Sequence, residues 1–298
     1  MRASIVTATD DHPPNPELWF QSLDAQTLSA DRYEVIVVDA THETDYQAAL
    51  TRFRSGREIR IDISCHRIRR GGRARALNHA LELAKGDVVI FLGEDFVVSP
   101  GFVEAHLSFH EANPEADAVG IGSSILIPQV RTPFSVWLEE SGQLFGVPFS
   151  ADMTEVPEDF FYVGNASVKR ELLTRAGRLD ERYAHHAGDD FEFGKRLRAS
   201  GMRAHFVPGT RAHHVHSIGL RERERAMWRA GAAAWIYIID HPDDCAWVKT
   251  AKGPSWLQWL RVTAARVYLA MARNDDALIT WWKSRLDAAF SAGYKNGA

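Results

Sequence analysis

Residues 87–100, DVVIFLGEDFVVSP, constrain this chain more than any other stretch. Val88, Val89, Ile90, Phe91 and Leu92 form an unbroken apolar run, the signature of a strand covered on both faces, as in a parallel sheet layered between helices. Glu94 and Asp95 follow at once. Ligands of open parallel sheets bind beyond the carboxyl ends of the strands, so two acids there stand where a metal or a substrate would sit.

The surrounding text supports such a sheet. Residues 4–9 read as a first strand, and NPELWFQSL behind it offers Asn15 as N-cap and Pro16 at the first helical position. Residues 34–39, EVIVVD, form a second buried strand ending in an acid; residues 59–63 alternate apolar and polar as a half-exposed third. From Ala76, the residues Leu77, Ala80, Leu81 and Ala84 recur at helical spacing, with Gly86 closing the helix. Ser99 and Pro100 cap another helix, 118–127 is strand-like, and 128–157 is an irregular, proline-bearing loop. A strand over 160–163, a helix over 169–176 closed by Gly177, a helix over 191–200 closed by Gly201 and a strand over 203–207 complete the alternation. The fold class is therefore α/β, a mostly parallel sheet sandwiched by helices. Beyond residue 220 strand signals cease, and seven of the nine tryptophans lie in what reads as a helical extension. The expected division is 1–219 and 220–298.

Charge and missing motifs exclude several functions. Lys and Arg total 35 against 39 Asp and Glu, a formal charge of −4 that gives no support to a nucleic-acid binder. Cys65 and Cys245 form no CxxC, so neither a disulfide framework nor a thiolate zinc site is indicated, and a reducing cytoplasm is the default. With no glycine before Gly56, the first strand cannot lead into GxGxxG, and GxxxxGK[ST] is absent as well. No apolar run reaches the roughly 20 residues of a membrane-spanning helix.

What remains is a set of charged clusters. Arg67, Arg69, Arg70, Arg73 and Arg75 crowd a glycine pair just before a helix. Cations there oppose the helix dipole, and an anion such as a diphosphate would compensate; the alternative is a solvated basic loop. Asp39 ends a buried strand in the same row as Glu94 and Asp95, where a carboxylate can accept from a ribose hydroxyl or a base N–H. In GDDFEFGKRL, Asp189 and Glu192 make a capping-box pair. That leaves Asp190 as an additional acid suited to general-base work. His213, His214 and His216 follow a strand and suit a site where one imidazole joins carboxylate and phosphate oxygens around Mn²⁺ or Mg²⁺. An all-histidine zinc centre using His185 and His186 is a further reading.

Taken in order, these pieces resemble the family 2 glycosyltransferases, inverting enzymes of the GT-A fold, over roughly residues 4–217. SIVTAT and EVIVVDATHETD look like the family's first two nucleotide-binding strands, which implies donor contacts at Thr7 and Thr9 and a base contact at Asp39. GGRARALNHALELAKGDVVIFLGED is similar to the segment leading to the DxD motif. It implies diphosphate contacts from Arg73 and Arg75, with Asn78 in the AlN position, Glu94 toward sugar or metal, and Asp95 as metal ligand. Gly93 stands where the first DxD aspartate would be, so Asp95 carries the metal with less carboxylate help. YVGNASVKRELLTRAGRLDERY resembles the stretch before the catalytic acid; the resemblance places Asn165 and Asp189 toward acceptor and sugar and makes Asp190 the catalytic base. His214 matches the late metal-binding histidine, with His216 the second choice.

The activity so implied is a metal-dependent single transfer from a nucleotide-diphosphate sugar, a UDP-sugar foremost, to an acceptor hydroxyl, with nucleotide-sugar binding in 1–127 and the acceptor side in 128–219. QxxRW, the companion of processive synthases, is absent. A non-catalytic GT-A-like binding protein and a nucleotidyltransferase are the rival readings. Residues 245–298 hold eight Lys and Arg against three Asp, a local +5, beside several tryptophans. Such helices either lie on an anionic membrane surface, receiving a lipid-linked acceptor, or pack on the catalytic domain or pair subunits.

Overall fold

Strand β1 (Ala3–Thr9) is buried along its length, as the apolar text requires, and it sets the frame for the rest. The structure, a computed structural model, describes residues 1–9, 15–40, 46–56, 58–69, 71–128, 130–145, 156–157, 160–183, 188–244, 255–272 and 274–297, side chains of 255–259, 272 and 297 excepted. Helix α1 (Pro16–Asp24) starts as its sequence predicts, with Asn15 Oδ1 accepting from Leu18 N at 3.0 Å. β2 (Tyr33–Asp39), α2 (Tyr46–Arg54), β3 (Asp62–Arg67), α3 (Gly72–Leu83) and β4 (Val88–Leu92) follow. Then come β5 (Phe96–Val98), α4 (Phe102–Ala112), β6 (Ala118–Ile121), β7 (Ser124–Leu126), α5 (Pro133–Glu140), β8 (Asn165–Lys169), α6 (Arg170–Ala176), α7 (Asp189–Ala199), β9 (Arg203–Phe206) and β10 (Ala212–His214).

Seven strands make the main sheet in the order β3-β2-β1-β4-β8-β6-β9, parallel at every pairing except those of β8. Thr9 lies opposite Asp39 and Val6 opposite Phe91, which brings the carboxyl ends of β2, β1 and β4 side by side. A small sheet, β5-β10-β7, stands beside that end, with His213 opposite Val97 and His214 opposite Phe96.

Several boundaries differ from the sequence reading, each for a physical reason. The third strand is Asp62–Arg67, displaced because its register is set by pairing with Glu34–Asp39 rather than by its own alternation. α3 begins at Gly72, four residues before the apolar spacing does, so Arg73 and Arg75 lie in its first turn. Gly86 is no helix cap; a Cβ there would stand 2.5 Å from Ser4 N, so only glycine lets this turn run against β1. The stretch 118–127 divides between two sheets, α5 forms inside the segment read as irregular, and the strand expected at 160–163 is Asn165–Lys169 instead. Gly177 (φ 81°) and Gly201 (φ 103°) end their helices as expected.

Helix α4 is tied to the sheet by a buried polar chain whose direction can be worked out. Asn165 gives its Nδ2 hydrogens to Ser123 O (3.1 Å) and Thr210 O (2.9 Å), so its Oδ1 accepts from His106 Nε2 (3.3 Å). His106 Nδ1 must then accept from Ser167 Oγ (2.9 Å), and Ser167 Oγ accepts from His110 Nε2 (2.9 Å). That leaves His110 Nδ1 a bare lone pair, and it is the ring atom with no partner among the described residues. Both imidazoles are fully buried and neutral; burial pushes His106 down to about 4 and His110 to about 3. In the unfolded chain both protonate near pH 6.5, so stability is full above that pH and is lost as pH falls from there toward the folded values. The loss approaches about 1.4 kcal/mol per pH unit per histidine. Urea titrations between pH 7 and 4.5 should show it, and His110→Gln should flatten the decline.

By compactness the chain forms two units: residues 1–130, 141–184 and 189–217 in one, and 131–140, 185–188 and 218–298 in the other. The second contains α5 with α8 (Leu220–Asp240), α9 (Ser255–Ala272) and α10 (Asp275–Gly297). α8 and α10 approach through glycines: a Cβ on Gly231 would lie 1.9 Å from Phe290 O, and one on Gly293 would lie 1.8 Å from Trp228 O. Trp282 meets Phe134 edge to face (5.2 Å) and lies tilted against Trp137 (5.5 Å), so this tryptophan is core. Cys245 and Trp247 lie outside the described residues.

Candidate active site

Hydrogen bonds gather the candidate residues into three groups, all in the first unit. The first lies across the ends of β1 and β2, where Thr9 Oγ1 donates to Asp39 Oδ1 at 3.3 Å and both residues are nearly inaccessible. Thr7, two residues back, is buried with a hydroxyl that meets no partner among the described residues. A buried hydroxyl left unsatisfied is costly, which makes it a candidate to meet a ligand.

The second group sits past β4. Gly93 N donates to Gly164 O (3.0 Å), and Trp19 Nε1 donates to Gly93 O (2.9 Å), pinning the chain as it leaves the sheet. A Cβ on Gly93 would be 2.3 Å from the Phe96 ring, so no acid can occupy that position without moving Phe96. Asp95 Oδ2 lies 2.7 Å from His214 Nε2, and Asp95 O accepts from Val215 N at 3.0 Å. β10 therefore delivers the imidazole through its pairing with β5. Strand alternation turns His213 to the other face, while the His216 ring centres 5.7 Å from that of His214. Burial works to raise the Asp95 carboxyl, but the hydrogen bond and charge of His214 outweigh it, and its pKa is lowered. A shallow cleft bordered by Asn15, Trp19, Glu94, Asp95 and Val215 opens here.

Tyr46 links these two groups. Its hydroxyl donates to Glu94 Oε2 at 3.4 Å, and its pKa is pushed up by burial first and then by the charges of Glu94, Asp39 and Asp95. The phenol stays protonated within the field of all three carboxylates. Neither Tyr46 nor Trp19 stands out in the sequence, where one reads as an isolated aromatic and the other as helix filler.

The third group joins α3 to α7. Arg73 Nε donates to Asp189 Oδ2 at 2.9 Å, its Nη2 bonds Asp189 Oδ1, and the same Nη2 lies 3.3 Å from Asp190 Oδ2. Asp189 is fully buried by this pairing; Asp190 keeps a quarter of its side chain exposed, at 25%. Burial raises the Asp190 carboxyl, the Asp189 charge adds to the rise, and Arg73 opposes it, with a raised pKa as the outcome.

Three candidates are thus held by protein groups instead of facing a ligand. Asp189 is spent on Arg73, and Asn165 is spent on the polar chain under α4. Asn78 gives both amide hydrogens to Leu179 O (2.9 Å) and Glu181 Oε1 (3.0 Å) and accepts from Leu179 N (2.8 Å), stapling α3 to the chain before α7. Arg73 is likewise engaged with carboxylates, whereas Arg75 is exposed. Arg70, His185 and His186 lie outside the described residues.

Among the described residues no group of three or more His, Cys, Asp and Glu is gathered to hold an ion. Asp95 and His214 supply two of the donor types that Mn²⁺ or Mg²⁺ takes, although here they are bonded to each other. A carboxylate oxygen and an imidazole nitrogen point at each other across 2.7 Å, and a substrate's phosphate oxygens are the usual completion of such an ion's shell.

A family model described as Glycosyl transferase family 2 matches residues 18–164. Hyaluronan synthase of Pasteurella multocida is 26% identical over 217 residues, 63% of this chain and 22% of that protein. The chain thus spans about a fifth of that curated relative. Among solved structures, the mannosyltransferase PcManGT from Pyrobaculum calidifontis, in complex with GDP-Man and Mn²⁺, superposes with a TM-score of 0.66 at 18% identity, covering 99% of this chain and 87% of that one. TarS 1–349 of S. aureus with UDP-GlcNAc gives 0.60 at 13% identity, covering 99% and 91%. At these identities the structures speak for the fold alone, which is the mixed α/β architecture of the GT-A proteins.

Proposed function

The chain belongs to glycosyltransferase family 2 through residues 18–164, and on that premise we propose that it moves one sugar from a nucleotide-diphosphate sugar to an acceptor hydroxyl with inversion, Asp190 serving as base. The observation that carries this reading is the division between two adjacent acids. Asp189 is buried and bound by Arg73 through both oxygens, while Asp190 shares only the edge of that guanidinium and stays partly open. Asp189 and Arg73 hold the start of α7; Asp190 is left able to take a proton, with a pKa moved toward the working pH, as a general base needs.

The donor side is assigned to the other two groups. Thr7, Thr9 and Asp39 would meet the nucleoside, Arg75 the diphosphate, and Glu94, oriented by Tyr46, a sugar hydroxyl. Asp95 and His214 would hold Mn²⁺ or Mg²⁺, whose chemistry when bound is to offset the charge that grows on the departing diphosphate. Trp19 keeps Asp95 at the cleft by anchoring Gly93. UDP-sugars are the first donors to try, since a UDP-GlcNAc enzyme and a sugar-polymer synthase are among the similar proteins; the latter also favours a glycan acceptor.

A panel of UDP- and GDP-sugars tests this, with nucleotide release followed before chelation, in chelator, and after Mn²⁺ is restored. One donor is expected to release nucleotide, with activity lost in chelator and regained with Mn²⁺. Full activity in chelator would remove Asp95 and His214 from metal binding. Release of pyrophosphate would point to a nucleotidyltransferase, and binding without release to a sugar-nucleotide receptor.

A further inference from the structure

Within the helical unit, α9 shows an apolar face that no described residue covers. Leu260, Val267, Tyr268 and Met271 are all exposed, Val267 by 53% and Met271 by 80%. Their spacing of i, i+7, i+8 and i+11, with Ala264 at i+4, puts them on one side of the helix within an arc of about 100°. Ala265 is buried on the opposite side, with Val262 and Leu269 half-buried beside it, so α9 packs inward by one face and turns its apolar stripe outward. Scattered surface hydrophobics need no explanation, but a continuous stripe does.

Charge identifies what covers it. Residues 245–273 contain five Lys and Arg and no Asp or Glu, in a chain whose formal charge is −4. Arg261 and Arg266 are exposed and lie on either side of the stripe, about 75° and about 145° from its centre, the first at its edge and the second toward the opposite face. Arg261 also lies in the field of Asp287 on α10, which leaves Arg266 the freer of the two. A second copy of the chain would bring the same positive charge against itself. No helix among the described residues is long and apolar enough to cross a membrane. From this geometry we infer that α9 lies in the surface of an anionic lipid bilayer, with Val267, Tyr268 and Met271 among the acyl chains, Arg261 at the edge of the stripe and Arg266 above it reaching the lipid phosphates. Apolar insertion and charge attraction are the two additive sources of such binding, and arginine reaches sideways to the headgroups on its apolar stem.

The test is co-sedimentation of the full chain with phosphatidylcholine vesicles, with and without phosphatidylserine. Binding to the serine-containing vesicles is expected, weakened about tenfold or more on pure phosphatidylcholine and in high salt. Val267→Ser with Met271→Ser should weaken it about tenfold by removing apolar insertion, and Arg266→Glu by a similar factor by reversing the charge. All three positions are exposed, so circular dichroism and nucleotide release without vesicles should be unchanged. Protein left in the supernatant with anionic vesicles would overturn the inference. So would equal binding by wild type and variants, or a concentration-dependent dimer in light scattering that the serine variant abolishes, which would assign the stripe to a second copy.

Discussion

Asp190→Asn should lower the transfer rate by about 10²–10⁴-fold while leaving donor binding unchanged. The substitution keeps the volume and the hydrogen-bonding reach of the side chain but removes the basic oxygen. Neither Arg73 nor Asp189 loses its main partner, because their two-point pairing does not involve residue 190. Calorimetric titration with the cognate nucleotide sugar should therefore give an unaltered affinity, and kcat alone should fall. The wild-type pH profile adds a second check. A base acts only when deprotonated, so activity is lost as pH falls through its pKa. Burial and Asp189 raise that pKa, so the acid limb of kcat/KM should lie above the range of about 4 usual for aspartate. Wild-type rates from Asp190→Asn would transfer the role to another group.

Arg73→Ala should destabilise the catalytic unit by about 3–5 kcal/mol, because it strands the fully buried Asp189 without its counter-charge. Thermal or denaturant unfolding will show the loss. Combining it with Asp189→Asn should recover a large part, since the cost lies in the uncompensated charge more than in lost attraction. Equal losses in the single and double variants would mean that Arg73 acts through packing of its stem instead. In the single variant the acid limb of activity should also move further up, because the one group opposing the rise at Asp190 is gone.

How much of this was legible in the sequence depended on the range of the interaction. β4 and its two following acids could be read directly, since a strand buried on both faces is apolar at every position. Asp39 at the end of β2 was legible on the same ground. α3 was only half visible: apolar periodicity reports the buried face, and its first turn is built around Arg73, whose partners lie 116 residues away. β10 is not legible as a strand, because it is three residues long and owes its form to pairing with β5 and β7 rather than to its own composition. The bonds that take Asn78 and Asn165 out of contention span 101 and 42 to 59 residues, distances over which local pattern carries no information. Gly93 stands out in the sequence as a departure, but the Phe96 ring that fills the place of a side chain there is visible only in three dimensions.

The claim on which the rest depends is a single displacement driven by Asp190. Once the donor panel has supplied a substrate, the measurement that tests it most directly is the anomeric configuration of the first-formed product, read by NMR early in the reaction. A sugar bond of configuration opposite to the donor's is predicted. Retained configuration would require a second displacement or attack on the face the diphosphate leaves, and would contradict the account.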